Sequence, residues 1–372
     1  MQERLRKIRF VSPRAETPWT GPPSPWRHPK LNQADSTGDH KHRIITPLFL
    51  HQTAWHQLDP HQANALAVAL GQANVMVSVL RSEISTSDNQ SLFHDYPQVD
   101  NHQSISESGE PAASLPRMVP YRAERYGLTV EDFDQASIID VRLTTNRDET
   151  GRFAYSAEQL ARWDVLNAQV PIAGGSWVPS ATFPPDVPNM EELRNKFAQL
   201  RNLSPGAAIF VTLDPFHLKV DLEGVLANNP DGIIIQFDSI ASEGLELATL
   251  VVKTRQLIND LGHPSTPLWI VPGEINADDA AKLITLGASG VAIDSWFDHL
   301  WAEIQAASSG SFLSQSHYAA QANQLASDIQ WYIQRTMGLL HSTEHLPKKQ
   351  RLTSLDALWR DALQLNEYPK MN

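Results

Sequence analysis

The chain has 372 residues, a formal net charge of -12 and a pI near 5.6. This length allows one large α/β barrel with additions or two smaller domains, and the acidic balance argues against nucleic acid as a partner, because phosphate recognition needs a positive footprint. There are no cysteines, which excludes disulfides, zinc–cysteine sites, thiol nucleophiles and cysteine-ligated iron–sulfur clusters.

The arm at 1–43 is rich in Pro and Trp (Pro18, Trp19, Pro22, Pro23, Pro25, Trp26, Pro29), a composition that predicts an extended segment with Trp19 and Trp26 as anchors. Arg4, Arg6, Lys7 and Arg9 cluster at its start and read as a solvated basic tail. The N-terminus lacks the apolar segment of a signal peptide, and no apolar run approaches the roughly 20 residues of a spanning helix. The expectation is a cytoplasmic protein without a membrane partner.

From residue 44 the pattern alternates. A strand at 44–50 leads to a helix opened by Asp59 and Pro60, with Ala63, Leu66, Ala67 and Leu70 as its buried stripe, and then to a strand at 75–80. The polar stretch 82–117 reads as a long insertion. TVED at 129–132 has capping-box spacing, SIIDVRL at 137–143 is a strand, 157–166 a helix and 170–172 a short strand. A helix at 190–203, capped at Asn189, follows. AAIFVTL at 207–213, DGIIIQF at 231–237, PLWIV at 267–271 and SGVAID at 289–294 have the length and β-branched content of strands buried on both faces. Helical periods fill the gaps at 222–228, 245–261 and 277–286. Strands alternating with helices imply parallel pairing, and eight strand candidates with right-handed crossovers close a TIM (β/α)8 barrel over 44–308. The segment 309–372 reads as a helical extension packed on the barrel, with helices at 315–341 and 353–363, the second opening on Thr353 and Asp356 in capping-box spacing.

A barrel of this kind places chemistry just after its strands. Those positions include His51 and Trp55, 81–85, 144–147, Trp177, 212–219, 238–243, 273–276 and 294–296. Asp214, His217 and Lys219 supply an acid, a base and a cation within one loop, and Asp238 and Glu243 follow the next strand; together they form a candidate acid/base set. The bland alternative has Asp214 capping a helix while His217 and Lys219 face water. Gly273 and Asn276, with Ser295 after the last strand, occupy the places where barrels hold a phosphate at a helix start, but Asp294 adds a carboxylate there. His51, His56 and His61 recur every five residues, which matches no single face of a helix or strand and is weak support for a metal site.

The order of these segments resembles the FMN-binding synthase domain of glutamate synthase over about 44–296. ITPLF followed by DPHQANALAVAL is similar to that family's first strand and helix, RYGLTVEDFDQASIIDVRL to its Arg-Phe-Gly-Val-Thr segment, DVPNMEELRNKFAQLRNLSPGAAIFVTL to its Asp-Ile-x-Ser-x-Glu-Asp-Leu helix and following strand, and LITLGASGVAI to its Ala-Leu-Gly-Ala-Asp-Ala-Val. The resemblance implies an FMN-type barrel, an oxidoreductase acting on CH-NH2 donors in glutamate metabolism, and as partner an intact homologue or a second copy of this chain. On the family's pattern, FMN would meet Thr212, Gly273, Asn276 and Ser295. Yet Thr212 replaces the family's flavin-contacting lysine, the glycine-rich loops have become 237–244 and 272–277, and the cluster cysteines are absent, so no iron–sulfur cluster is expected. Side chains and added carboxylates oppose a phosphate both sterically and electrostatically. Three readings follow: a degenerate, non-catalytic structural or regulatory barrel; an FMN-dependent enzyme with a rebuilt site; and a barrel with new acid/base chemistry. Apolar filling of the barrel mouth by Trp177, Phe183, Phe216, Phe237 and Trp296 would favour the first, and hydrogen-bonded sets at the strand ends the other two.

Overall fold

The computed structural model describes residues 3–11, 46–53, 55, 60–84, 115–121, 128–143, 154–156, 177–179, 187, 189–238, 240, 243–308, 315–347 and 350–367. Eight parallel strands close into a barrel in the order β2 (Leu48–Leu50), β3 (Met76–Ser78), β4 (Arg117–Tyr121), β5 (Ile138–Leu143), β8 (Ala208–Leu213), β9 (Gly232–Gln236), β10 (Leu268–Val271) and β11 (Gly290–Ala292), with β11 returning to β2 through Val291 and Leu48. The predicted (β/α)8 barrel is therefore the fold.

The strand count was predicted, but one member lies elsewhere. The third strand is RMVPY, which Arg117 and Pro120 hide from an apolar-run reading; it pairs with β5 through Met118 and Ile138. The candidate strand at 170–172, the helix at 157–166, Trp19, Trp26 and most of the polar insertion lie outside the described residues.

The helices around the barrel are α1 (Pro60–Gln72), α2 (Arg81–Ile84), α3 (Val130–Phe133), α4 (Leu193–Leu203), α5 (Leu218–Leu226), α6 (Gly244–Asp260), α7 (Ala277–Leu286) and α8 (Asp294–Ser308). The start of α3 has the predicted capping box of Thr129 and Asp132. The apolar stripe of α6 (Leu247, Val251, Thr254, Ile258) is buried against the strands, as its period requires. The 28-residue α9 (Gln315–Ser342) packs on α1 and α7, with the Tyr332 ring tilted against Trp296 at 4.4 Å between ring centres.

Two features depart from the expected arm and extension. Residues of the arm form β1 (Ile8–Phe10), which pairs antiparallel with β12 (Leu352–Ser354), itself parallel to β13 (Asn366–Glu367). Thr353 thus belongs to a strand, and the following helix, α10 (Ala357–Leu363), is capped by Asp356, whose carboxylate accepts from the amide of Leu358. The C-terminal segment is mixed rather than helical because its Leu-Thr-Ser stretch gives the arm an edge to pair with. The remaining described strands, β6 (Ala154–Ser156) and β7 (Trp177–Pro179), form a separate antiparallel pair.

The barrel interior begins as an apolar plug. Phe49, Met76, Met118, Ile138, Ala208, Phe210, Ile234, Trp269, Val271 and Ala292 form one buried cluster. The Trp269 ring lies 4.5 Å from Phe49 and 4.9 Å from Phe210. Gly232 and Gly290 make room for it, since a Cβ on either would meet the Phe210 ring at 2.4 Å or the Trp269 ring at 2.8 Å.

Candidate active site

Side chains alternate along a strand, so the residues two positions beyond the plug face the same interior, nearer the strands' C-terminal ends. There the chemistry changes. Met76 is followed by Ser78, Ile138 by Asp140 and Arg142, Phe210 by Thr212, Ile234 by Gln236 and Phe49 by His51, and all six of these polar residues are buried.

Five of them form one network. Asp140 accepts from Arg142 Nε at 2.7 Å and from the Thr212 hydroxyl at 2.5 Å, and it lies 3.0 Å from His51 Nε2. Arg142 Nη2 also donates to the Ser78 hydroxyl and to the carbonyl of His51, both at 2.9 Å. Burial alone would push the Asp140 carboxyl up, but the Arg142 charge, with the hydrogen bonds and charge of His51 and the Thr212 hydroxyl, brings it down to about 2. It is therefore an anion at neutral pH, pairing with the guanidinium and holding one imidazole nitrogen.

Asp294, directly after β11, closes the ring. Its Oδ1 accepts the amides of His51 and Gln52, each at 2.7 Å, which fixes the segment carrying His51 to the end of the last strand. Its Oδ2 is shielded from solvent and has no hydrogen-bond partner among the described residues. Burial pushes this carboxyl up to about 7; the Gln52 and His51 amides oppose the shift, and the like charges of Asp298 and Asp238 add to it. Gln52, Thr53, Gly273, Asp294 and Ser295 are only partly buried and open the ring towards the rim.

The candidate set from the sequence is divided by burial. Asp214 is buried at the end of β8, whereas His217, Lys219, Asp238 and Glu243 are exposed. His217 and Glu243 stand at the N-cap positions of α5 and α6, neither with a side-chain capping bond. Asp221, on α5, is influenced by both loop residues: burial pushes its carboxyl up, His217 opposes this and Asp214 adds to it. Thr212 is the predicted residue that does join the mouth, as a partner of Asp140.

The residues expected to meet FMN do not fit its phosphate. The Asn276 side chain accepts from the amide of Asp279 at 2.9 Å and caps α7, and Ser295 Oγ donates to the Gly273 carbonyl at 2.8 Å. A Cβ on Gly273 would sit 3.4 Å from that of Asp238. Asp294 adds a carboxylate next to Ser295, and the Thr212 position supplies a hydroxyl engaged with Asp140 instead of a cation. No group of three or more candidate ligands for a metal occurs among the described residues. No described helix is long and apolar enough to cross a membrane.

The aromatic residues expected to fill a non-catalytic mouth are described in part. Phe237 and Trp296 belong to the outer core between barrel and helices, and Phe216 is 47% exposed. The side chains of Trp177 and Phe183 lie outside the described residues. His51, Asp140 and Arg142 were missed as a set, although Asp140 and Arg142 interrupt an apolar strand at i and i+2. That spacing places two charges on one face of a buried strand, a signal available in the sequence.

No family model matches the chain, and no curated protein matches it. The resemblance to the glutamate synthase domain therefore stays at the level of the barrel. Solved structures of similar fold include mandelate oxidase with benzoyl-formic acid and with a difluorinated hydroxy-phenylpropionic acid, each at 15% identity and a TM-score of 0.48, covering 90% of this chain and 83% of the other.

Proposed function

We propose that this chain is a barrel enzyme that carries out general acid/base chemistry on a small polar molecule bound at the C-terminal mouth, with His51 as the group that moves the proton. The buried His51–Asp140–Arg142 network is the observation that carries this reading. A buried ion pair is often no more stabilising than apolar residues of the same volume, so a mouth serving only as scaffold gains little from one. Perturbed, hydrogen-bonded titratable groups at the strand ends are instead what barrel catalysis requires.

In this arrangement Asp140 fixes the orientation of the imidazole by holding Nε2. Arg142 keeps Asp140 ionised, while Thr212 and Ser78 anchor the pair from the neighbouring strands. His51 is only 1% exposed, so the transfer to or from a bound molecule takes place out of contact with bulk water, and the imidazole exchanges its proton with solvent between turnovers. The flavin-dependent reading needs a phosphate seat that the ends of β10 and β11 do not offer, and the non-catalytic reading needs an apolar mouth.

The test is solvent deuterium exchange. The protein in deuterated water is given a panel of small oxo, hydroxy and amino acids, and label uptake is followed by mass spectrometry. The wild type is expected to accelerate exchange in at least one class, and His51→Gln to lose about 100-fold or more of that rate. Equal rates for both proteins, or no acceleration across the panel, would overturn the assignment.

A further inference from the structure

The basic residues at the chain's start do not form a solvated tail. Arg4, Arg6 and Lys7 converge with Lys253 of α6 on a groove of about 710 Å³, lined also by Trp359 of α10. The arm that carries them is fixed. The Asp279 carboxylate accepts the amides of Arg4 and Leu5 at 2.8 and 2.9 Å, Lys282 Nζ donates to the Leu5 carbonyl at 3.0 Å, and β1 is laddered to β12. Gly244 permits the crossing, since a Cβ there would lie 2.0 Å from the Arg4 carbonyl oxygen. The cations therefore project from an ordered backbone, and a ligand would not have to order them.

Their engagements differ. Arg4 Nη1 donates to the Pro272 carbonyl at 2.8 Å, and Lys7 pairs with Asp356 at 2.7 Å. Arg6 and Lys253 are exposed and have no carboxylate partner among the described residues. The groove also borders the start of the 17-residue α6, whose helix dipole adds positive potential. On a chain of net charge -12, this local excess of cations is the opposite of the average surface. Glu243 and Glu246 line the same groove and limit it, because an extended polyanion running past the cations would meet them. The volume is that of a small-molecule site.

We propose that this groove binds a small phosphate-bearing molecule with at least two anionic centres, held by Arg6 and Lys253. The guanidinium offers paired donors to phosphate oxygens, and the ammonium a point charge. None of the residues of the His51–Asp140–Arg142 network lines the groove, so the proposal does not depend on the catalytic assignment.

Isothermal titration calorimetry of the full chain, in chloride buffer at constant ionic strength, tests this with pyrophosphate and inorganic phosphate as probes. Pyrophosphate is expected to saturate a single site and to bind more tightly than phosphate. The Arg6→Gln/Lys253→Gln variant is expected to bind pyrophosphate at least tenfold more weakly with an unchanged thermal midpoint, both substituted side chains being exposed. Absence of saturable binding to the wild type, or equal binding by the variant, would overturn the proposal. So would tighter binding of a short single-stranded oligonucleotide than of pyrophosphate, which would make the groove part of an extended polyanion surface.

Discussion

The lower barrel and the mouth are built on the same strands, two residues apart, and have opposite interiors. On β5 the inward face runs from Ile138 to Asp140 to Arg142, and on β8 from Ala208 and Phe210 to Thr212. The apolar layer gains by removing surface from water, about 25 cal/mol for each Å² buried. The polar layer must offset the desolvation of a carboxylate and a guanidinium, which it does by pairing them and satisfying them with Ser78, Thr212 and the His51 carbonyl. Strand geometry treats both layers alike, so the difference lies in what each side chain is there to do: the first holds the barrel together, and the second is held by it.

The largest effect should come from breaking either layer. Asp140→Asn leaves Arg142 buried without a counter-charge and should lower stability by roughly 3–5 kcal/mol. Phe210→Ala opens the plug beneath Trp269 and should lower it by a similar 3–5 kcal/mol. Urea unfolding measures both, and the comparison sharpens if only Asp140→Asn also abolishes deuterium exchange. Gly232→Ala pushes a methyl towards the Phe210 ring and should lower stability by about 1–3 kcal/mol, read in the same way.

The two mouth carboxylates should respond to pH with opposite sign. Asp140 sits at about 2 against an ordinary 3.8, so its contribution is present above about pH 4 and is lost as pH falls through 2. Asp294 sits at about 7, so between about pH 4 and 7 the native state holds a proton that the unfolded chain has released. Its contribution is present below about pH 4 and is lost as pH rises through 7. Asp294→Asn should flatten the upper part of the stability–pH curve and leave the acid limb in place, as thermal midpoints across pH would record. The smallest effects belong to the exposed start of α5: His217→Ala and Lys219→Ala should each shift unfolding by no more than about 0.5 kcal/mol.

The barrel was legible because its signal is repeated. The four strands from 207 to 294 are continuous apolar runs, α7 begins and ends where its period predicts, and Asn276 caps it. RMVPY was hidden because its inward and outward positions carry Met118, Pro120 and Arg117 rather than a run of β-branched residues. The mouth was half legible. His51 and Thr212 were marked by their place after or at the end of a strand, but convergence is a property of closure: His51 and Asp140 are 89 positions apart and meet only because the barrel brings β2 across from β5. The loop set from Asp214 to Glu243 suggested itself through proximity in sequence, which does not say which side chains closure buries: of the five only Asp214 is buried. The basic arm could not be read from its charges, because the partner edge that orders it, β12, lies more than 340 residues later.

The most direct test of the mouth as a site maintained for function is to replace its network with apolar residues of similar size, as His51→Phe, Asp140→Leu, Arg142→Met and Thr212→Val together, and to measure the free energy of unfolding in urea. Removing all the partners at once leaves no unpaired charge, so the account predicts a protein at least as stable as the wild type that has lost its deuterium exchange. A loss of several kcal/mol in this variant would contradict the account and make the network part of the fold's own support.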